Sequence, residues 1–98
     1  MRRRYLVAYD VAEPKRLQRT FRAMHGFGTA VQYSIFLCTL GQVERQLMRE
    51  KLTDILNLKE DRILIIDLGE EGARGSPSFE IIGKQLRPMP KGYEAVVV

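Results

Sequence analysis

The chain has 98 residues, 45% of them hydrophobic, with a formal net charge of +4 and a pI near 9.5. That length suits one domain with a modest core; one cysteine excludes an intramolecular disulfide and a multi-cysteine zinc site, and a single histidine with no evident partner acid argues against a Cys-His or Ser-His-Asp nucleophile. The basic balance favours acidic partners, nucleic acid or an anionic surface, without choosing between them.

The first element is a strand over Arg3–Asp10. Its run Tyr5-Leu6-Val7-Ala8-Tyr9 is rich in strand formers and ends on a lone carboxylate, Asp10. A side chain at the end of a sheet-held strand is rigidly placed, as a catalytic acid or metal ligand needs to be. The competing reading is a helix cap or turn former, roles that Asp often fills. Met1-Arg2-Arg3-Arg4 before an apolar run has the outline of a signal peptide, but Asp10, Glu13 and Lys15 break it and no small-residue cleavage site follows. No stretch is long enough to span a membrane, so the expectation is a cytoplasmic chain with no membrane partner.

A helix begins near Pro14, with Glu13 as its cap or first-turn acid, and runs to His25. Leu17, Phe21 and Met24 form its packing stripe. Lys15, Arg19 and Arg22 form a cationic stripe, with Arg16 at the border, suited either to phosphate or simply to solvent. His25 reads as a helix C-terminal residue that complements the dipole rather than as a general base. Gly26 and Gly28 end the helix.

Ala30–Leu40 alternates without a break and reads as one strand, ended by Gly41. Cys38 within it is expected to be a small buried hydrophobe. Ser34 can orient water or phosphate, or be an ordinary strand serine. Phe36 can pack a dimer interface or the core. Tyr9 can stack on a base or close a metal pocket, although strand tyrosines are common without such a role.

Gln42–Leu56 reads as a second helix whose core stripe is Val43, Leu47, Met48, Leu52, Ile55 and Leu56. A polar connection, 57–61, leads to Arg62–Leu68, whose apolar run Ile63-Leu64-Ile65-Ile66 fits a central strand covered on both faces. The turn-rich stretch 69–77 reads as a mobile loop. Phe79–Ile82 reads as a short strand, and 83–98 as a Pro-containing arm ending in the strand Tyr93–Val98, able to complete its own sheet or a partner's edge.

One Asp is poor equipment for hydrolysis in a monomer, but across a two-fold axis Asp10 meets its own copy. Two facing carboxylates repel, and Mg²⁺ relieves that repulsion while keeping waters that can attack a phosphodiester.

The ordered pattern Tyr9-Asp10, Lys15-Arg16-Leu17 with Arg19, Gly28, and Gln32-Tyr33-Ser34-Ile35-Phe36 resembles the small CRISPR-associated protein two (Cas2) family over nearly the whole chain. The resemblance implies an α+β, ferredoxin-like sandwich of an antiparallel sheet and two helices. It also implies a symmetric homodimer whose C-terminal strands cross to the partner. With that fold comes an expected metal-dependent endonuclease, acting on RNA or double-stranded DNA and taking part in spacer acquisition with the CRISPR integrase subunit. Asp10 of each protomer would hold the shared Mg²⁺. Tyr9, Ser34, Arg16, Arg19 and Phe36 match positions near the active site or interface, and Arg22 extends the basic face. Leu37 and Ala30 depart from the pattern, where many members carry an acid and some carry a base. The fold also requires two strands within 27–40, against the single strand read above. The alternative function is a non-catalytic DNA-binding adaptor that bridges integrase subunits through Arg16, Arg19, Arg22 and the N-terminal arginines.

Overall fold

The computed structural model describes residues 1–72 and Ile82; of the expected strand Phe79–Ile82 only Ile82 is described, and the expected strand Tyr93–Val98, the arm and residues 73–77 of the expected loop lie outside the described residues. Within them the order is β1 (Arg3–Asp10), α1 (Pro14–Met24), β2 (Gly28–Gln32), β3 (Ile35–Leu40), α2 (Gln42–Ile55) and β4 (Arg62–Glu70). The strands pair antiparallel in the order β2-β3-β1-β4, which with the two crossover helices is the ferredoxin-like α+β arrangement.

Alternation along the strands assigns each side chain to a face. Tyr5, Val7 and Tyr9 of β1 and Phe36, Cys38 and Leu40 of β3 point to the helices. There they meet Leu17, Phe21 and Met24 of α1, Met48 and Leu52 of α2 and Leu56 just after it in one core. Glu13 caps α1 by accepting from the Lys15 and Arg16 amides at 2.8 and 2.9 Å, ahead of Pro14 at its first position. The Glu44 carboxylate accepts the Gly41 N–H at the start of α2. Val43 and Leu47, expected in the core stripe of α2, are instead exposed, because the packed stripe is narrower and runs through Met48, Leu52 and Ile55.

The segment read as one strand is two. β2 turns into β3 at Tyr33-Ser34, so that Ala30 lies opposite Phe36 and a register shift follows before Gln32 and Ile35. No glycine or proline marks this turn. It is held from outside: the Tyr9 N–H donates to the Ser34 carbonyl at 3.0 Å and the Tyr9 hydroxyl donates to the Tyr33 carbonyl. The hairpin also needs Gly28, where a Cβ would stand 2.5 Å from both Cys38 Sγ and the Leu37 carbonyl oxygen.

β4 also differs from the expected central strand. Among the described residues it is an edge strand, with only Ile63 and Ile65 packed against the core while Leu64 and Ile66 are exposed. It continues through Gly69 and Glu70, two residues assigned to the loop. Gly69 follows a register shift at a φ of 101°, a backbone that glycine adopts without steric cost. No helix among the described residues is long and apolar enough to cross a membrane.

Candidate functional site

Asp10 ends β1 on the face away from the helices. Its neighbour across β4 is Arg62, and the next pairs inward on the same face are Ala8 with Leu64 and Leu6 with Ile66. On the other side β3 adds Ile35 and Leu37, opposite Ala8 and Leu6. Asp10 therefore stands at one end of an open, largely apolar sheet face. Its carboxylate is exposed, and no hydrogen bond or ion pair with another described residue engages it.

Tyr9 points the other way. It is buried beside Phe36, with ring centroids 6.3 Å apart, and burial pushes its phenol far above the ordinary value. Its hydroxyl and its amide both hold the Tyr33-Ser34 turn, so what it does in this structure is fix the end of the hairpin beside Asp10. Ser34 sits in that turn, half-buried, and its hydroxyl makes no hydrogen bond among the described residues. Phe36, expected at an interface, is fully buried inside its own protomer against Phe21, Tyr9 and His25, leaving no surface for a partner. His25 caps the C-terminus of α1 with its ring edge-on to Phe21, and partial burial lowers its pKa.

The arginines divide into engaged and exposed groups. Arg16 is engaged: its Nε donates to Asp61 Oδ2 at 2.9 Å, and its Nη2 donates to Asp61 Oδ1 and Glu60 Oε1 at 3.2 Å each. The Asp61 side chain is wholly inaccessible and also accepts the amides of Ala12 and Asn57 at 2.9 and 2.8 Å. The Arg16 guanidinium, helped by those two amides, holds the Asp61 carboxyl down at about 2. This node ties the chain leaving Asp10 to α1, to the end of α2 and to the start of β4. Sequence reasoning missed it, because Asp61 reads as one more polar residue in a connection.

Two N-terminal arginines are also engaged. Arg2 meets Glu44 at 2.8 Å and Arg3 meets Asp67 at 2.9 Å, both at the surface. Arg45 lies over the Tyr5 ring at 5.4 Å. By contrast Arg19 and Arg22 are exposed on α1, on the helix side of the sheet rather than beside Asp10. The structure thus brings Asp10, the Ser34 turn and Arg62 to one end of the sheet and does not bring Arg19 and Arg22 there.

No group of three or more His, Cys, Asp or Glu side chains suited to a metal occurs among the described residues. At this end of the open face Asp10 is, among the described residues, an exposed carboxylate without a partner. That fits half of a Mg²⁺ site, since Mg²⁺ binds through one or two carboxylates and keeps several waters.

Comparison with known proteins agrees with this architecture. A family model described as CRISPR associated protein Cas2 matches residues 1–74. A protein of Geobacter sulfurreducens named CRISPR-associated endoribonuclease Cas2 is 37% identical over 94 residues, covering 96% of each chain. The crystal structure of Streptococcus pyogenes Cas2 is similar with a TM-score of 0.64 and 34% identity, over 67% of this chain and 86% of that one. A hypothetical protein from Thermus thermophilus gives a TM-score of 0.71 at 25% identity, over 93% and 100%.

Proposed function

The chain belongs to the CRISPR-associated Cas2 family, and from that premise we propose that it is a metal-dependent endoribonuclease whose site forms when two copies bring their Asp10 carboxylates together. The observation that carries this reading is the placement of Asp10: exposed, uncommitted, and at the end of the one sheet face that the helices leave open. RNA is the proposed substrate because relatives carry the name endoribonuclease, with duplex DNA as the competing arm of the test.

The same face supports a homodimer. Leu64 and Ile66 expose 55% and 41% of their surfaces beside Leu6, Ala8, Ile35 and Leu37, a contiguous apolar strip of the kind that marks an interaction site. A two-fold axis near Asp10 covers the strip and pairs the carboxylates in one step. When bound between them, Mg²⁺ supplies Lewis-acid polarisation of the phosphodiester and an activated water. The chain's own contribution is rigidity. Tyr9 pins the turn on one side of Asp10, and Asp61 holds the Ala12 amide two residues downstream.

The test is Asp10→Asn. The variant is expected to keep its far-UV spectrum and dimer mass while losing Mg²⁺-dependent cleavage of single-stranded RNA. Cleavage that persists in a pure preparation overturns the reading. Single-stranded and duplex DNA, each with and without EDTA, complete the panel.

A second reading, a DNA-binding adaptor of spacer acquisition alongside the integrase, is favoured by the exposed stripe of Lys15, Arg19 and Arg22. That stripe lies off the Asp10 face and suits phosphate contacts that carry no sequence information. Under this reading Arg19→Glu with Arg22→Glu weakens duplex binding and flattens its salt dependence, while Asp10→Asn changes neither.

A further inference from the structure

We propose that Arg62 is the residue that contacts substrate phosphate at the Asp10 centre, and that Arg16, whose motif position suggests that role, is instead a positioning residue locked by Asp61. The proposal rests on the placement of chemistry at Asp10 argued above.

Arg16 is poorly available to a phosphate. Three of its donor contacts go to Asp61 and Glu60, its side chain is only 19% exposed, and the cluster of one guanidinium with two carboxylates is net negative. Drawing Arg16 toward a substrate leaves the buried Asp61 carboxylate without its counter-charge, which is among the costlier changes a folded chain can make. The node also belongs to the helix side of the sheet, whereas Asp10 faces the open side.

Arg62 has the opposite properties. It is the register partner of Asp10 on the neighbouring strand, and because Ile63 and Ile65 turn toward the core, Arg62 shares the open face with Leu64 and Ile66. Directly opposed side chains on a face begin about 5 Å apart at Cβ. Arg62 is exposed, and no hydrogen bond or ion pair ties its guanidinium to any described residue, Asp10 included. A planar fork of donors beside a metal-binding carboxylate is suited to two oxygens of a phosphodiester. In the two-fold pair each protomer brings one such arginine to the shared centre.

The readout is chosen to be independent of cleavage. Binding of a fluorescein-labelled single-stranded RNA to Asp10→Asn is measured across a salt series, with and without Arg62→Ala. Loss of one phosphate contact per bound protomer is expected to lower the log–log salt slope by about 0.7 for a single strand. In the Asp10-intact protein, Arg62→Ala is expected to reduce kcat/KM for RNA cleavage about thirtyfold, as for one charge-assisted hydrogen bond. Arg62→Lys keeps the charge and is expected to keep the salt slope while recovering only part of kcat/KM. Arg49→Ala, on the exposed side of α2, serves as a remote charge control and is expected to leave the slope unchanged. An Arg62→Ala protein with unchanged slope and unchanged kcat/KM, while Asp10→Asn is inactive, overturns the Arg62 assignment and leaves the Asp10 reading standing.

Discussion

Around the end of β1, the two faces of the sheet hold their polar groups differently. On the helix side Tyr9 spends its hydroxyl on the Tyr33 carbonyl, the buried Thr20 hydroxyl donates to the Arg16 carbonyl at 2.8 Å, and Asp61 accepts from two amides and Arg16. On the open side Asp10 and Arg62 stand opposite each other with no partner among the described residues. A buried polar group left unpaired destabilises the fold, whereas an exposed one is satisfied by water and stays available for a ligand. Adjacent residues of one strand, Tyr9 and Asp10, thereby come to serve structure and chemistry respectively.

The largest expected break in this contrast is on the closed face. Phe36→Ala empties the centre of the core and is expected to cost about 4 kcal/mol, read from urea denaturation. An effect under about 1 kcal/mol would place Phe36 outside the core.

On the open face, Ile66→Lys is expected to do the reverse. Its side chain is already 41% exposed, so protomer stability should change by less than about 1 kcal/mol. Sedimentation should nonetheless show monomers, and RNA cleavage should be lost with the dimer. A variant that stays dimeric and active removes this face from the proposed assembly.

A smaller effect concerns the buried carboxylate of Asp61. The Asp61 carboxyl titrates at about 2 in the folded chain, below the ordinary 3.8. Its contribution to stability is therefore complete above about pH 4 and is lost as the pH falls toward 2. Asp61→Asn is expected to lower the melting temperature at neutral pH and to flatten that acid limb. An unaltered limb would show that the Arg16 pair does not set it.

The smallest effect concerns Cys38. The thiol is fully buried and burial pushes its pKa to about 12, so a thiol reagent should label it at neutral pH only as fast as the core opens. Rapid labelling of the native protein would contradict the closed packing of β3 on the helices.

Local signals were sufficient for β1, for both ends of α1 and for most of α2, because period, cap and proline agree there. They were insufficient at Tyr33-Ser34. The alternation through Val31, Tyr33, Ile35 and Leu37 is unbroken, and the groups that hold the turn belong to Tyr9, more than twenty residues earlier. At the candidate site Asp10 was legible as an acid ending a strand, and its neighbours were not. Arg16 lies closer in sequence and on a motif, yet it is bound by Asp61, 45 residues away. Arg62 lies 52 residues from Asp10 and becomes its neighbour only through the β1–β4 register.

The order of most elements, the helix stripe through Leu17, Phe21 and Met24 and the position of the strand-end carboxylate Asp10 are legible locally, since each follows from backbone preference and hydrophobic period. Which face Asp10 shares, which arginine stands beside it and where the hairpin turns emerge from the folded chain alone. Those outcomes depend on strand register and on buried charge pairing between distant residues, and neither leaves a local trace.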